Sequence, residues 1–241
     1  MALFNKKRES SISSKRIARY LAYAVGEIVL VVIGILIAVS INDWQEEKKE
    51  KALLKSYLLD FRNDLIVDST NVGANLRLLE EKEKGFKMVL SDTLEKEDLM
   101  ANPITFNLIL TYNPIRLQTK GYNELSGYVN QNESKQDTLV QQIVAEHQRY
   151  NDLLETTMEN ITKDVSDNMD YLKNNKPWIG KLMTGKIEEE AIAYFLSSDY
   201  QNRVAIHGIL VFGNLQRFLQ LYKNYIEGIL PRIDQRLASI S

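Results

Sequence analysis

"GEIVLVVIGILIAVSINDW", residues 26–44, decides the fold class. It is an aliphatic run with one glutamate at its head. Followed back to Tyr20 and on to Ile41, it gives 22 residues in which Glu27 is the one charged side chain. A membrane span needs about 20 apolar residues, because a helix rising ~1.5 Å per residue must cross ~30 Å of hydrocarbon. A backbone in lipid has to satisfy its own hydrogen bonds, so the run is expected to be helical. Tyr20 and Tyr23 sit at one end and Trp44 just beyond the other, where amphipathic rings suit the membrane interface. A signal peptide would carry only ~7–15 apolar residues followed by a small-residue cleavage site. Here the run is longer and passes into "SINDWQEEKKEK", which offers no such site. A core helix of a soluble domain is seldom aliphatic on every face for this length.

The charges around the run orient it. Residues 1–19 carry Lys6, Lys7, Arg8, Lys15, Arg16 and Arg19 against Glu9, a net of +5 in a chain whose total is −2. Lys48, Lys49 and Lys51 on the far flank follow Asp43, Glu46 and Glu47. Basic residues on short flanks stay on the cytoplasmic side. The expected organisation is therefore a basic cytoplasmic tail, 1–19, a transmembrane helix, 20–42, and an extracytoplasmic domain, 43–241.

Ala18, just before the span, and Ala22, Gly26, Gly34 and Ala38 within it fall at four-residue spacing, interrupted by Leu30. Small residues so spaced let two helix backbones approach in lipid, which makes this stripe the candidate helix–helix packing face. Glu27 lies about 10 Å deeper along the axis than Tyr20. A carboxylate costs about 2.5–3.5 kcal/mol at the centre of a span and less toward the interface, and ionisable residues in such places default to function. Three roles are open to Glu27: snorkelling toward Arg19 or Tyr23, hydrogen bonding across a helix pair beside Gly26, and carrying protons as in ion-driven stators. Gly26 next to it favours the helix pair.

Beyond the span the apolar residues keep a three/four spacing, Leu54, Leu58, Phe61, Leu65, Val72, Leu76 and Leu79, with Asp68 and Asn75 at positions on the same seam. With no intervening proline, the membrane helix is expected to continue outward to about Leu90. Asn102-Pro103 and Asn113-Pro114 read as breaks enclosing a short helix. Gly121 and Gly127 argue that 113–133 is irregular or only briefly helical. A second amphipathic helix runs through Val140, Ile143, His147, Tyr150, Leu154, Ile161, Val165 and Leu172. "NNKPWIGKLMTG", residues 174–185, reads as a turn region. A last long helical stretch carries Val204, Val211, Leu215, Phe218, Tyr222, Tyr225 and Ile229, and Pro231 is expected to kink or restart it. The expected fold is all-α: one transmembrane helix continuing into an elongated antiparallel helical bundle with long helices at roughly 45–90, 136–173 and 187–239. Three amphipathic stretches bury their stripes most simply on each other.

Chemistry is sparse. The absence of cysteine excludes disulfides, thiol catalysis and thiolate metal sites. A net charge of −2 argues against nucleic acid as a partner. Four prolines and 11 glycines favour long helices over strands and turns. His147 and His207, the two histidines, have no metal-ligand companion at helical spacing. His147 lies on an apolar stripe and is expected to be a hydrogen-bonded core histidine, and the same reading applies to His207. Glu188-Glu189-Glu190 sits where a helix begins and answers its dipole. No phosphate loop, dinucleotide fingerprint or nucleophile elbow is present. No cofactor, metal or catalytic residue is expected, and the chain is not expected to be an enzyme.

"YLAYAVGEIVLVVIGILIAVSINDWQEEKK", residues 20–49, resembles the N-terminal signature of uncharacterised single-pass membrane proteins common in Bacteroidota that carry a domain of unknown function. Residues 26–38 are the specific part, and "GYNELSG", residues 121–127, resembles a weaker mid-chain motif of that family. The resemblance implies a helical envelope protein and no activity. With the charge pattern it implies a bacterial inner-membrane location, N-terminus cytoplasmic and the bulk of the chain periplasmic. The expected function is that of a single-span envelope protein whose helical external domain is an interaction or scaffolding module, with the lipid bilayer and a protein partner or second copy as its partners. Two alternatives stand: a sensor-like ligand-binding ectodomain, although a 19-residue tail cannot house an output domain, and an ion-coupled subunit using Glu27.

Overall fold

A computed structural model describes residues 3–131 and 137–240, with side chains from Ile17 onward. The described residues are helical and contain no strand. The chain divides by its contacts into two units, the first ending at Leu53 and the second running from Leu54 to Ser241. Helix α1, Leu3–Val89, supplies the whole of the first unit that is described and the first element of the second. Residues 17–49 are exposed throughout, so the aliphatic run has no protein surface covering it. The side chains of Lys6, Lys7, Arg8, Glu9, Lys15 and Arg16 lie outside the described residues.

In the second unit α1 is followed by α2, Lys96–Ala101, a 3₁₀ turn at Pro103–Asn107, and α3, Lys120–Gln131. Next come α4, Thr138–Asn175, the single turn α5, Ile179–Leu182, and α6, Glu189–Phe195. Helix α7, Ser198–Gly208, passes through a π-helical segment, Ile209–Gln216, into α8, Arg217–Ser239. The starts follow local chemistry. The Asp137 carboxylate accepts from the N–H groups of Leu139 and Val140 at 3.1 and 3.2 Å, and the Ser197 hydroxyl from that of Tyr200 at 3.3 Å. Gly185 ends the α5 region at φ +80°, a conformation only glycine adopts without strain.

All seven apolar residues of the Leu54–Leu79 stripe are buried. They join Val140, Ile143, Leu154 and Ile161 of α4 and Val211, Leu215, Phe218, Tyr222, Ile226, Ile229 and Ile233 of the last helical run in one core. Each such side chain contributes roughly 1.5–3 kcal/mol when fully removed from water. A second core gathers Phe86, Val89, Leu99, Phe106, Trp178, Phe195 and Tyr200, and Phe212 packs against both. The Tyr200 hydroxyl donates to the Thr105 carbonyl in this second core.

Cross-helix pairs give the directions. Arg62 meets Asp234 at 2.6 Å and Phe86 stacks on His207, so the last helical run is antiparallel to α1. Arg232 donates to Gln142 at 2.8 Å and His207 meets Asp164, so that run is antiparallel to α4 as well. Helices α1 and α4 therefore run parallel, which the long connection of residues 90–137 makes possible.

The structure refines several sequence expectations. Residues 113–133 hold α3, a helix of three turns among the described residues. The expected helix at 187–239 is broken between Phe195 and Ser198, where Ser197 caps a new helix, and widened at 209–216. Pro231 neither breaks nor restarts α8. It is exposed, so the carbonyl it leaves unbonded faces water. The 174–185 turn region contains α5, and its Trp178 is buried.

Candidate functional site

On α1, Asp60, Asp64 and Asp68 stand one turn apart and hold the segment leading into α3. Asp60 pairs with the Lys120 ammonium at 3.0 Å. Asp64 accepts from the Gly121 N–H at 2.7 Å, at the start of α3, where a carboxylate satisfies an unpaired helix donor. Asp68 accepts from the Gln118 N–H at 3.0 Å and from the Tyr222 hydroxyl at 2.8 Å. A Cβ on Gly121 would lie 2.2 Å from the Phe61 backbone, so α3 meets α1 where only glycine fits. Gly121 is the first residue of the "GYNELSG" stretch, and its close approach accounts for that glycine alone.

Burial pushes the Asp68 carboxyl up to about 6, against the two hydrogen bonds, which favour its charged form. The Tyr222 hydroxyl is pushed up too, by burial first and then by Asp68. His147 stacks on Tyr122, centroids 4.9 Å apart, and meets Phe61 edge-on at 5.3 Å. It is a core histidine, as expected, but not a hydrogen-bonded one. Both ring nitrogens are buried without a partner, and burial lowers its pKa to about 4. The Gln118 carbonyl pulls in the opposite direction from outside hydrogen-bonding geometry.

His207 differs. Its Nδ1 lies 2.7 Å from the Asp164 carboxylate, and burial outweighs that carboxylate in lowering its pKa. Asn168 donates to Asp164 at 3.1 Å and accepts from Arg203 at 3.0 Å. Arg203 donates to Asp199 at 3.2 Å and lies 3.5 Å over the Tyr171 ring, whose hydroxyl donates to Asp199 at 2.7 Å. The network ties α4 to α7. A cavity of about 20 Å³ beside His207 and Lys82 has room for one water. No group of three potential metal ligands occurs among the described residues.

Among the residues singled out in the sequence, Ala18, Ala22, Gly26, Glu27, Gly34 and Ala38 lie on α1 and are all exposed, and a Cβ on Gly26 or Gly34 would meet nothing within 4 Å. Each four-residue step advances about 40° beyond a full turn, so the stripe winds around the helix. Glu189 and Glu190 occupy the first turn of α6, as the dipole reading expects, and Glu189 also pairs with Lys96 at 2.6 Å. The Asp164–Arg203 network was not anticipated, although Asp164, Asn168 and Tyr171 form a polar row at helical spacing on α4.

The model of a family of unknown function (DUF6090) matches residues 27–109. The match begins at Glu27, takes in the rest of the aliphatic run and α1, and stops after the 3₁₀ turn. The aspartate ladder lies within it, while Gly121, α4 and the last helical run lie outside. Neither the curated proteins nor the solved structures contain a match. The chain has one helix long and apolar enough to cross a membrane, near its N-terminus.

Proposed function

We propose that this chain is a single-span protein of the bacterial cell envelope, its N-terminus in the cytoplasm, and that residues 43–241 form a periplasmic helical module binding or scaffolding another protein. The observation that carries the reading is the uninterrupted exposure of residues 17–49 around an aliphatic run of span length. Covering such a surface with protein would take a large apolar partner, whereas a bilayer covers it on all sides at once. The resemblance of residues 20–49 to the Bacteroidota signature supports the inner-membrane assignment.

A binding role fits the polar groups better than a catalytic one. Asp68, Tyr222, His147 and His207 are buried between helices and Asp164 is half-buried, and the cavity beside His207 measures about 20 Å³, room for a water and not for a substrate. Glu27 and the small-residue stripe belong to the proposed span, where Gly26 admits a second helix beside the carboxyl group. The test is crosslinking in native membranes, then affinity capture of the full chain and mass spectrometry. The reading expects a stoichiometric protein adduct or a self-adduct in the carbonate-resistant membrane fraction. Recovery of the chain as a free soluble monomer overturns it.

A further inference from the structure

Lys82 of α1 is half-buried, and its ammonium makes no hydrogen bond or ion pair among the described residues. Its helical neighbours at three and four residues, Leu78, Leu79, Gly85 and Phe86, offer no carboxylate. Burial lowers its pKa with no acidic group opposing the shift. An ammonium drawn out of water in this way costs free energy unless a group of opposite sign reaches it.

Lys82 lines the cavity of about 20 Å³ together with His207. The other polar residues of the lining are Asn75, Thr111, Tyr112 and Asn113, the rest is apolar, and no acidic residue is among them. Asp164 holds Nδ1 of His207 at 2.7 Å, which leaves Nε2 without a hydrogen bond among the described residues. Both nitrogens of His147 are sealed in the core, whereas Nε2 of His207 keeps accessible surface. The groups facing His207 are Lys82 and Phe86 from α1 and Asp164 from α4. On its own helix Arg203 stands one turn back, committed to Asp199 and Asn168. The Lys82 charge adds to burial in lowering the pKa of His207.

We infer that this cavity binds one monatomic anion, a halide, between the Lys82 ammonium and the His207 ring. The volume sets the class: it holds one particle of about the size of a water, which leaves out sulfate and larger anions. The lining sets the sign, since its one permanent charge is positive. A water fits the same space but leaves that charge unanswered. With the anion in place, protonation of His207 completes a row of alternating charge: Asp164 carboxylate, imidazolium, anion, Lys82 ammonium. Without it, an imidazolium would face an unneutralised ammonium. The anion therefore favours protonated His207, and protonated His207 favours the anion by the same factor. All these residues belong to the second unit, and the inference stands apart from the partner-binding reading.

The experiment uses the full chain in lipid nanodiscs with ring-labelled histidine, titrated by NMR in sodium chloride and, at equal ionic strength, in sodium sulfate. The chain has two histidines, so His147 is an internal control. The His207 pKa is expected to lie higher in chloride than in sulfate by about one unit, equivalent to about tenfold tighter binding by the protonated form. His147 should titrate alike in both salts. Lys82→Met and Lys82→Gln, at a half-exposed helical position, should each abolish the difference, and Lys82→Arg should keep it. A His207 pKa that is the same in both salts overturns the site and leaves a water in the cavity. A chloride effect that persists in the methionine and glutamine variants, or that moves His147 equally, overturns it as well.

Discussion

The Tyr222 hydroxyl donates to the Asp68 carboxylate across 2.8 Å in the buried interior, joining positions 154 residues apart. Asp68 interrupts an apolar stripe, and its burial pushes its carboxyl up to about 6. A carboxyl whose folded pKa exceeds its unfolded value, 3.8, holds its proton more tightly in the folded state, so its contribution to stability falls as pH rises from about 4 to about 6. The shift corresponds to about 3 kcal/mol. Asp68→Asn keeps an acceptor without the charge. Its unfolding free energy, from denaturant titrations followed by circular dichroism, should gain about that much on wild type across this window and run parallel above it. Parallel curves throughout would mean that Asp68 does not ionise in a buried place.

His147 acts in the opposite direction. Its folded pKa of about 4 lies below the ordinary 6.5, so acidification through that window destabilises the fold, and stability rises with pH across it. His147→Leu removes two buried unpaired nitrogens and should stabilise the protein by about 1 kcal/mol at neutral pH. The slopes of Asp68 and His147 offset each other in wild type. Each single variant should therefore unmask the other: Asp68→Asn should gain stability with pH between 4 and 6, and His147→Leu should lose it.

Gly121 and Gly127 share one motif and one helix but not one environment. Gly121→Ala drives a methyl into the Phe61 backbone and should cost about 3 kcal/mol or more, because α3 must separate from α1. A Cβ at Gly127 meets nothing within 4 Å, so Gly127→Ala should stabilise by about 0.5–1 kcal/mol through helix propensity. Thermal melts of the two variants side by side decide it, with equal shifts counting against the close approach at Gly121.

For Glu27, a hydrogen-bonding role beside Gly26 predicts that Glu27→Gln keeps crosslinked oligomers in the membrane and Glu27→Leu loses them, since glutamine still bonds across a helix pair. Normal crosslinking in the glutamine variant with complete loss of an envelope-stress phenotype would instead favour an ion-coupled role.

The stripes made the cores legible in advance. Leu54 to Leu79 on α1, Val140, Ile143 and Leu154 on α4, and Phe218, Tyr222 and Ile229 on α8 were marked by spacing alone, because burial on one helix face imposes it. The π-helical turn at Ile209–Gln216 was not legible, since its weak helix formers, Gly213 and Asn214 among them, do not distinguish a widened turn from an ordinary one, and Phe212 there packs against two cores. The α3 helix was hidden because glycine reads locally as a helix breaker, and the reason for Gly121 is a backbone 60 residues away.

The central claim is that residues 20–42 cross a bilayer with 1–19 inside and 43–241 outside. The chain has no cysteine, so a single introduced thiol reports without background. The direct measurement is labelling of full-length Ser14→Cys and Asn174→Cys by a membrane-impermeant maleimide in intact bacterial spheroplasts and again after permeabilisation. The account predicts that Asn174→Cys labels in intact spheroplasts and Ser14→Cys only once they are opened. The reverse pattern, or labelling of both sites before permeabilisation, would contradict it.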